Sequence, residues 1–172
     1  MRSLLVLAIL ATGPVASAGT YIGLGIGTAP SESDGVVTNG DQSRSWRALL
    51  GQSFGHLSIE TELNRYSVAL NSESYDATML GIGLKYNIPI DYGFSLYGRA
   101  GLERTWLSGN DVDYFSGAGN GLYLGVGVEY RFVSVASVFV DYERQSATID
   151  ADGAAAYDHN AGMFTVGAIL HL

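Results

Sequence analysis

The chain has 172 residues, 47% of them hydrophobic but only 15% charged, against roughly 25% charged in a typical soluble domain. It is acidic, with a formal net charge of −8 and no basic run, which excludes nucleic acid as a partner. It has no Cys, so disulfides, thiol chemistry and Cys-ligated metals are excluded as well.

Residues 1–18 read "MRSLLVLAILATGPVASA". Arg2 precedes an apolar run from Leu4 to Ala11, and Ala16-Ser17-Ala18 supplies small residues at the end. That order predicts a secretory signal peptide cleaved after Ala18. The apolar run is far shorter than the ~20 residues of a spanning helix. The remainder, 19–172, is long enough for one domain, and its 23 Gly and 11 Tyr with only 3 Pro suit a β-rich chain.

A period of two runs through almost all of it, which means strands. In 20–28, Ile22, Leu24 and Ile26 alternate with Tyr21, Gly23, Gly25 and Gly27. In 44–54, Trp46, Ala48, Leu50 and Phe54 oppose Arg47, Gly51 and Ser53. In 57–68, Leu57, Ile59, Thr61 and Leu63 oppose Glu60, Glu62 and Asn64. In 77–88, Leu80, Ile82, Leu84, Tyr86 and Ile88 oppose Gly81, Gly83, Lys85 and Asn87. In 94–106, Phe94, Leu96, Ala100, Leu102 and Trp106 oppose Tyr97, Arg99, Gly101 and Glu103. "GLYLGVGVEYRF" (121–132) sets Leu, Val, Tyr and Phe against Tyr123, Gly125, Gly127, Glu129 and Arg131. In 135–145, Ala136, Val138, Val140 and Tyr142 oppose Ser137, Asp141 and Glu143. In 162–172, Phe164, Val166, Ala168, Leu170 and Leu172 oppose Thr165, Gly167 and His171.

That makes eight strands, each near the ~9–11 residues that cross a bilayer at a tilt. Short connections at Gly55-His56, 89–93 and Val133-Ser134 alternate with longer ones at 29–43, 69–76, 107–120 and 146–161. Short turns at one end and long loops at the other are the outer-membrane pattern, and lipid forbids an open sheet edge. The expected fold is therefore all-β: an eight-stranded antiparallel up-and-down transmembrane β-barrel. A soluble barrel of lipocalin type is the alternative, with its apolar face inward. Against it, the glycines share the charged face, and aromatics such as Trp46, Tyr86, Trp106 and Tyr130 sit near the ends of the apolar face, as membrane girdles do.

The segments "YIGLGIG", "GLYLGVGVEYRF" and "FTVGAILHL" resemble the small eight-stranded outer-membrane barrels of Gram-negative bacteria, the OmpA transmembrane-domain-like, OmpX-like and opacity-protein-like group. The resemblance implies a monomer in the bacterial outer membrane, with outer-membrane lipids and lipopolysaccharide around it and the barrel-assembly machinery as a partner during biogenesis. Such chains end in an aromatic residue that this machinery reads; this one ends in Leu172. Ending at the eighth strand, it is expected to lack the peptidoglycan-binding domain that follows the OmpA barrel.

Parity places Arg47, Lys85, Arg99 and Arg131 in the lumen with Glu60, Glu62, Glu103, Glu129, Asp141 and Glu143. An eight-stranded barrel is just wide enough for side chains to fill it, so these charges are expected to pair and plug it. A narrow ion channel is the competing reading. Arg44, Arg65, Arg104 and Arg144 share the parity of the lipid face at the loop ends of their strands. They are candidate lipopolysaccharide contacts, because guanidinium binds phosphate through a bidentate fork; snorkelling is the plainer reading.

The long loops are expected to hold Glu32, Asp34, Asp41, Glu73, Asp76, Asp111, Asp113, Asp150, Asp152 and Asp158. "GNDVDYFSG" and "TIDADG" are broken calcium-loop fragments without the distal Glu, so no metal and no cofactor is expected. Tyr114, Phe115 and Tyr157 are candidate anchors for a host or surface ligand. A lipid A-modifying barrel enzyme would need a His with Ser and acidic partners at the loop end. Only His159 is on that side, beside Asp158 with Ser146 distant, while His56 and His171 lie at the opposite end. No catalytic residue is assigned.

Overall fold

The computed structural model describes residues 19–28, 31–32, 44–70, 73–109, 116–151 and 157–172. The expected signal peptide 1–18 lies outside them, as do Asp34, Asp41, Asp111, Asp113, Tyr114, Phe115 and Asp152. The side chains of Glu32, Glu73 and Tyr157 also lie outside the described set.

The strands are β1 (Thr20–Gly27), β2 (Ser31–Glu32), β3 (Ser45–Phe54), β4 (Leu57–Leu70), β5 (Glu73–Pro89), β6 (Phe94–Gly109), β7 (Ser116–Val133), β8 (Ala136–Ala151) and β9 (Tyr157–His171). β1 pairs antiparallel with β3, each strand from β3 to β8 pairs antiparallel with the next, and β9 pairs with β1, which closes the sheet into an eight-stranded barrel. The two-residue β2 resumes the line of β1 by pairing with Gly162 and Ala161 on β9. The closure satisfies the backbone groups that an open edge would expose to lipid.

The stagger of the barrel follows from the register. Successive partners of Leu24 are Ala48, Leu63, Leu80, Arg104, Asn120, Thr148 and Asp158, yet Leu24 itself pairs with Ala168, ten residues from Asp158. Strands therefore tilt, and each rises past its neighbour by about one and a quarter residues around the barrel.

Tight turns join the strands at one end. Gly55 takes φ +69° and Gly93 φ +86°, as two-residue and similarly short hairpins require. Tyr92, exposed at the tip of the β5–β6 turn, takes φ 51° without being glycine, and Asp91 Oδ1 accepts its backbone N–H at 2.9 Å.

Six strands, β4 to β9, run further at the other end than their apolar alternation suggests. The segments expected as loops at 69–76, 107–120 and 146–161 are largely strand: β4 and β5 meet down to Leu70↔Glu73, and β7 pairs with β8 up to Gly117↔Ala151. The reason is an inversion of chemistry without a change of register. Lower down, Leu24, Leu84, Leu124 and Val140 face outward and charges face inward. Higher up, Ser146, Thr148 and Asp150 face outward while Ala147 and Ile149 are buried within. Tyr66, Leu107, Ala161 and Met163 complete this inner apolar layer. The barrel thus stands in two solvents, lipid below and water above.

Inside, every large aromatic of the lower lumen lies opposite a glycine. Tyr21 pairs with Gly51, Tyr97 with Gly127, Tyr123 with Gly101 and Phe139 with Gly167. A Cβ on any of these glycines would collide with the ring of its partner. The glycines mark close approaches in the lumen, where a ring needs a flat floor.

Candidate functional site: the lumen ion network and the Arg line

The lower lumen holds two linked layers of charge. In the first, Lys85 Nζ donates to Glu129 Oε2 at 2.8 Å and lies 4.3 Å from the Tyr97 ring centroid. Ser137 Oγ donates to the other Glu129 oxygen at 2.8 Å, and Tyr21 OH donates to Glu60 Oε1 at 2.6 Å. A mouth of about 550 Å³ opens below this layer, lined by Tyr21, His56, Lys85, Glu129, Arg131 and His171.

In the second layer, Arg47 on β3 reaches Asp141 on β8 with Nη1 at 2.8 and 3.0 Å from the two carboxylate oxygens. Its Nε donates to Asn64 Oδ1 at 2.9 Å, and its Nη2 lies 2.9 Å from Glu143 Oε1. Arg99 on β6 pairs with Glu62 on β4 and lies 3.4 Å from Glu143 and 3.5 Å from Asp141. Tyr97 OH adds a bond to Asp141 at 3.1 Å, and Gln145 Nε2 one to Glu143 at 2.9 Å. The short cation–carboxylate pairs cross between non-adjacent strands, while the longer contacts Arg47–Glu62 at 3.8 Å and Lys85–Glu60 at 3.9 Å join neighbours. The short pairs brace the barrel across its bore, which tight cross-lumen geometry must do if buried ions are to offset their desolvation.

Two of the expected network members behave differently. Arg131 does not enter the plug: its side chain is 52% exposed at the mouth, 3.9 Å from Glu129 and 3.3 Å from a ring nitrogen of His171. Its position two residues from the strand end at Val133 puts water within reach, so it keeps its hydration. Glu103 is buried, but neither carboxylate oxygen has a hydrogen-bond partner among the described residues. Arg47 and Arg99 are both turned toward other carboxylates.

Above the ions, Tyr66 OH donates to Gln145 Oε1 at 3.2 Å and lies 2.9 Å from His159 Nε2. The Tyr66 and His159 rings stack with an interplanar angle of 8°. The apolar layer closes over them. Sequence reasoning missed Tyr66, Gln145, Ile149 and Met163. For Gln145 and Ile149 the signal is the continued alternation in "RQSATIDA" (144–151), read in the opposite sense.

His159, Asp158 and Ser146 do not converge. His159 is buried inside, whereas Asp158 and Ser146 are exposed on the outer wall, where Thr148 Oγ1 donates to Asp158 at 3.0 Å. Asp76 and Asp150 likewise sit on strand walls, not in loops.

Arg44, Arg65, Arg104 and Arg144 are all exposed. Correcting the register for the stagger sets them within about two residues of the level of Trp46, where the outer wall turns from apolar to polar. Arg65 Nη2 donates to Asp76 Oδ2 at 3.0 Å, and Arg104 lies 5.6 Å from the Trp106 ring centroid. Above that line, the Ser67 hydroxyl, donating at 2.7 Å, and the Arg65 guanidinium hold the Asp76 carboxyl below the ordinary carboxylate range.

Comparisons agree with this architecture. The family model described as "Outer membrane protein beta-barrel domain" matches residues 3–171. No curated protein matches the sequence. Among solved structures, Neisserial surface protein A is 17% identical with a TM-score of 0.73, covering 90% of this chain and 99% of that one. Ail, the attachment invasion locus protein of Yersinia pestis in complex with the heparin analogue sucrose octasulfate, is 15% identical with a TM-score of 0.59, covering 90% and 97%. OprG from Pseudomonas aeruginosa is 14% identical with a TM-score of 0.59, covering 90% and 96%. At these identities the likeness is one of fold. With nearly its whole length matched by the family model, the chain belongs to the outer-membrane β-barrel family.

Proposed function

We propose that this protein is a closed barrel of the bacterial outer membrane that serves a structural and surface-presenting role, exported by the signal peptide 1–18 and working as a monomer. The observation that carries the reading is the plug: two ion layers bridge non-neighbouring strands, and an apolar layer lies above them. A pathway for ions would need water between these groups, and the buried side chains of Arg47, Arg99, Tyr97 and Tyr123 at that level support a closed bore. The walls that rise above the Arg line hold the remaining connections clear of the membrane, where a host or surface ligand reaches them. Arg44, Arg65, Arg104 and Arg144, at one height, suit the phosphates of lipopolysaccharide.

Planar-bilayer recording tests the closed lumen. The refolded protein is expected to give no steady conductance in KCl. A stable conductance that changes selectivity on charge reversal at Arg99 or Glu129 would replace this reading with the narrow pore.

A further inference from the structure

Among the described residues six carboxylates are buried in the lumen: Glu60, Glu62, Glu103, Glu129, Asp141 and Glu143. Among the described residues three cations are buried with them, Arg47, Lys85 and Arg99. Arg131 stays hydrated at the mouth and does not redress the balance inside. An unpaired ionised carboxylate in a low-dielectric interior costs so much that it is neutralised instead. The described side chains do not supply the missing positive charge.

The site of the deficit is Glu103. It is 4% exposed, points inward by its parity on β6, and leaves both oxygens without a partner among the described residues. Thr105 Oγ1, two residues further along β6 on the same inner face, also has no hydrogen-bond partner among the described residues. Glu103 lies at the level of the Arg line, between the ion layers and the apolar layer. No group of three or more His, Asp or Glu side chains among the described residues is placed to hold a metal ion, so a multivalent ion is not the counter-charge that the geometry favours.

We infer that the lumen takes a monovalent positive charge from solvent at Glu103, as a proton on the carboxyl or as an alkali cation beside it. The plug is then closed by a bound charge as well as by its own arginines. Binding of that charge to the folded state alone makes stability depend on its concentration. For a proton the sign is fixed. The folded state binds more protons than the unfolded one, so stability falls as pH rises through the range where a free carboxyl is already ionised.

This inference rests on the closed-lumen reading. The test compares full-length wild type with Glu103→Gln, refolded in detergent, by apparent unfolding midpoint at pH 6 and pH 9. Each is measured in NaCl, KCl and N-methylglucamine chloride at equal ionic strength. Wild type is expected to lose about 5 °C or more between the two pH values in the bulky organic salt, and Glu103→Gln distinctly less. An equal loss in all three salts identifies the proton; recovery in NaCl or KCl identifies the alkali ion. A variant that tracks wild type, or responds more strongly, overturns the inference. Conductance of the same preparation separates the two failures. A conducting barrel means the lumen is not closed, and a silent barrel with a tracking variant means that Glu103 holds no bound charge.

Discussion

Tyr97 lies across Gly127, its antiparallel partner, so that a Cβ at Gly127 would fall 2.5 Å from Tyr97 Cζ and 2.7 Å from Asp141 Cβ. Gly127→Ala is therefore expected to destabilise the barrel by about 1–3 kcal/mol through overpacking. Gly98, on the outer face with nothing within 4 Å of its virtual Cβ, is the control. Gly98→Ala is expected to stay within about 0.5 kcal/mol of wild type. Urea unfolding in detergent micelles compares the two, and equal costs would mean that the ring does not rest on the glycine.

Arg47 and Asp141 form one arm of the cross-lumen brace. Arg47→Met leaves Asp141 and Glu143 without that cation, at an expected cost of about 3–5 kcal/mol. Adding Asp141→Leu should restore part of the loss, because the orphaned carboxylate goes with it. A double variant as unstable as the sum of its two singles would show the pair to be uncoupled.

Thr148 and Leu124 both face outward on adjacent strands, on opposite sides of the Arg line. Lysine at 124 enters the lipid face and is expected to cost up to about 2–4 kcal/mol, depending on its depth. Lysine at 148 meets water and is expected to stay within about 0.5 kcal/mol of wild type. Unfolding from lipid vesicles reads the difference, and equal costs would remove the two-solvent description of the wall.

Replacing Arg44, Arg65, Arg104 and Arg144 together by Gln is expected to lower the gain in folding yield or unfolding midpoint that lipopolysaccharide gives over plain phospholipid. Arg65→Gln alone should do least, since Asp76 already holds that guanidinium. An unchanged gain in the fourfold variant would dismiss the lipopolysaccharide contact.

Which face each residue takes was legible from the sequence, because a strict period of two leaves little freedom once one solvent is apolar. Leu122, Leu124, Val126 and Val128 announce it by themselves. The upper ends of the strands were not legible as strand. In "SATIDA" (146–151) the apolar residues occupy the other phase, and a reader who expects lipid outside takes this for a loop. The partners of the lumen charges were legible only as a set. Which cation meets which carboxylate depends on the ten-residue stagger, because the pairs cross between strands far apart in sequence, such as β3 and β8. Hence the isolation of Glu103 appears only in three dimensions, as does the hydration of Arg131.

The inversion of the outer wall also fixes how deeply the molecule sits. One residue along a strand is about 3.3 Å. A slip of that size toward the periplasm would draw Arg65, Arg104 and Arg144 toward hydrocarbon together, each losing its interfacial position. A slip the other way would strip lipid from the lower ring of Phe94, Tyr130 and Phe132. The wall therefore acts as a depth gauge, holding the barrel at one height, so that the bound charge at Glu103 stays level with the outer boundary of the membrane.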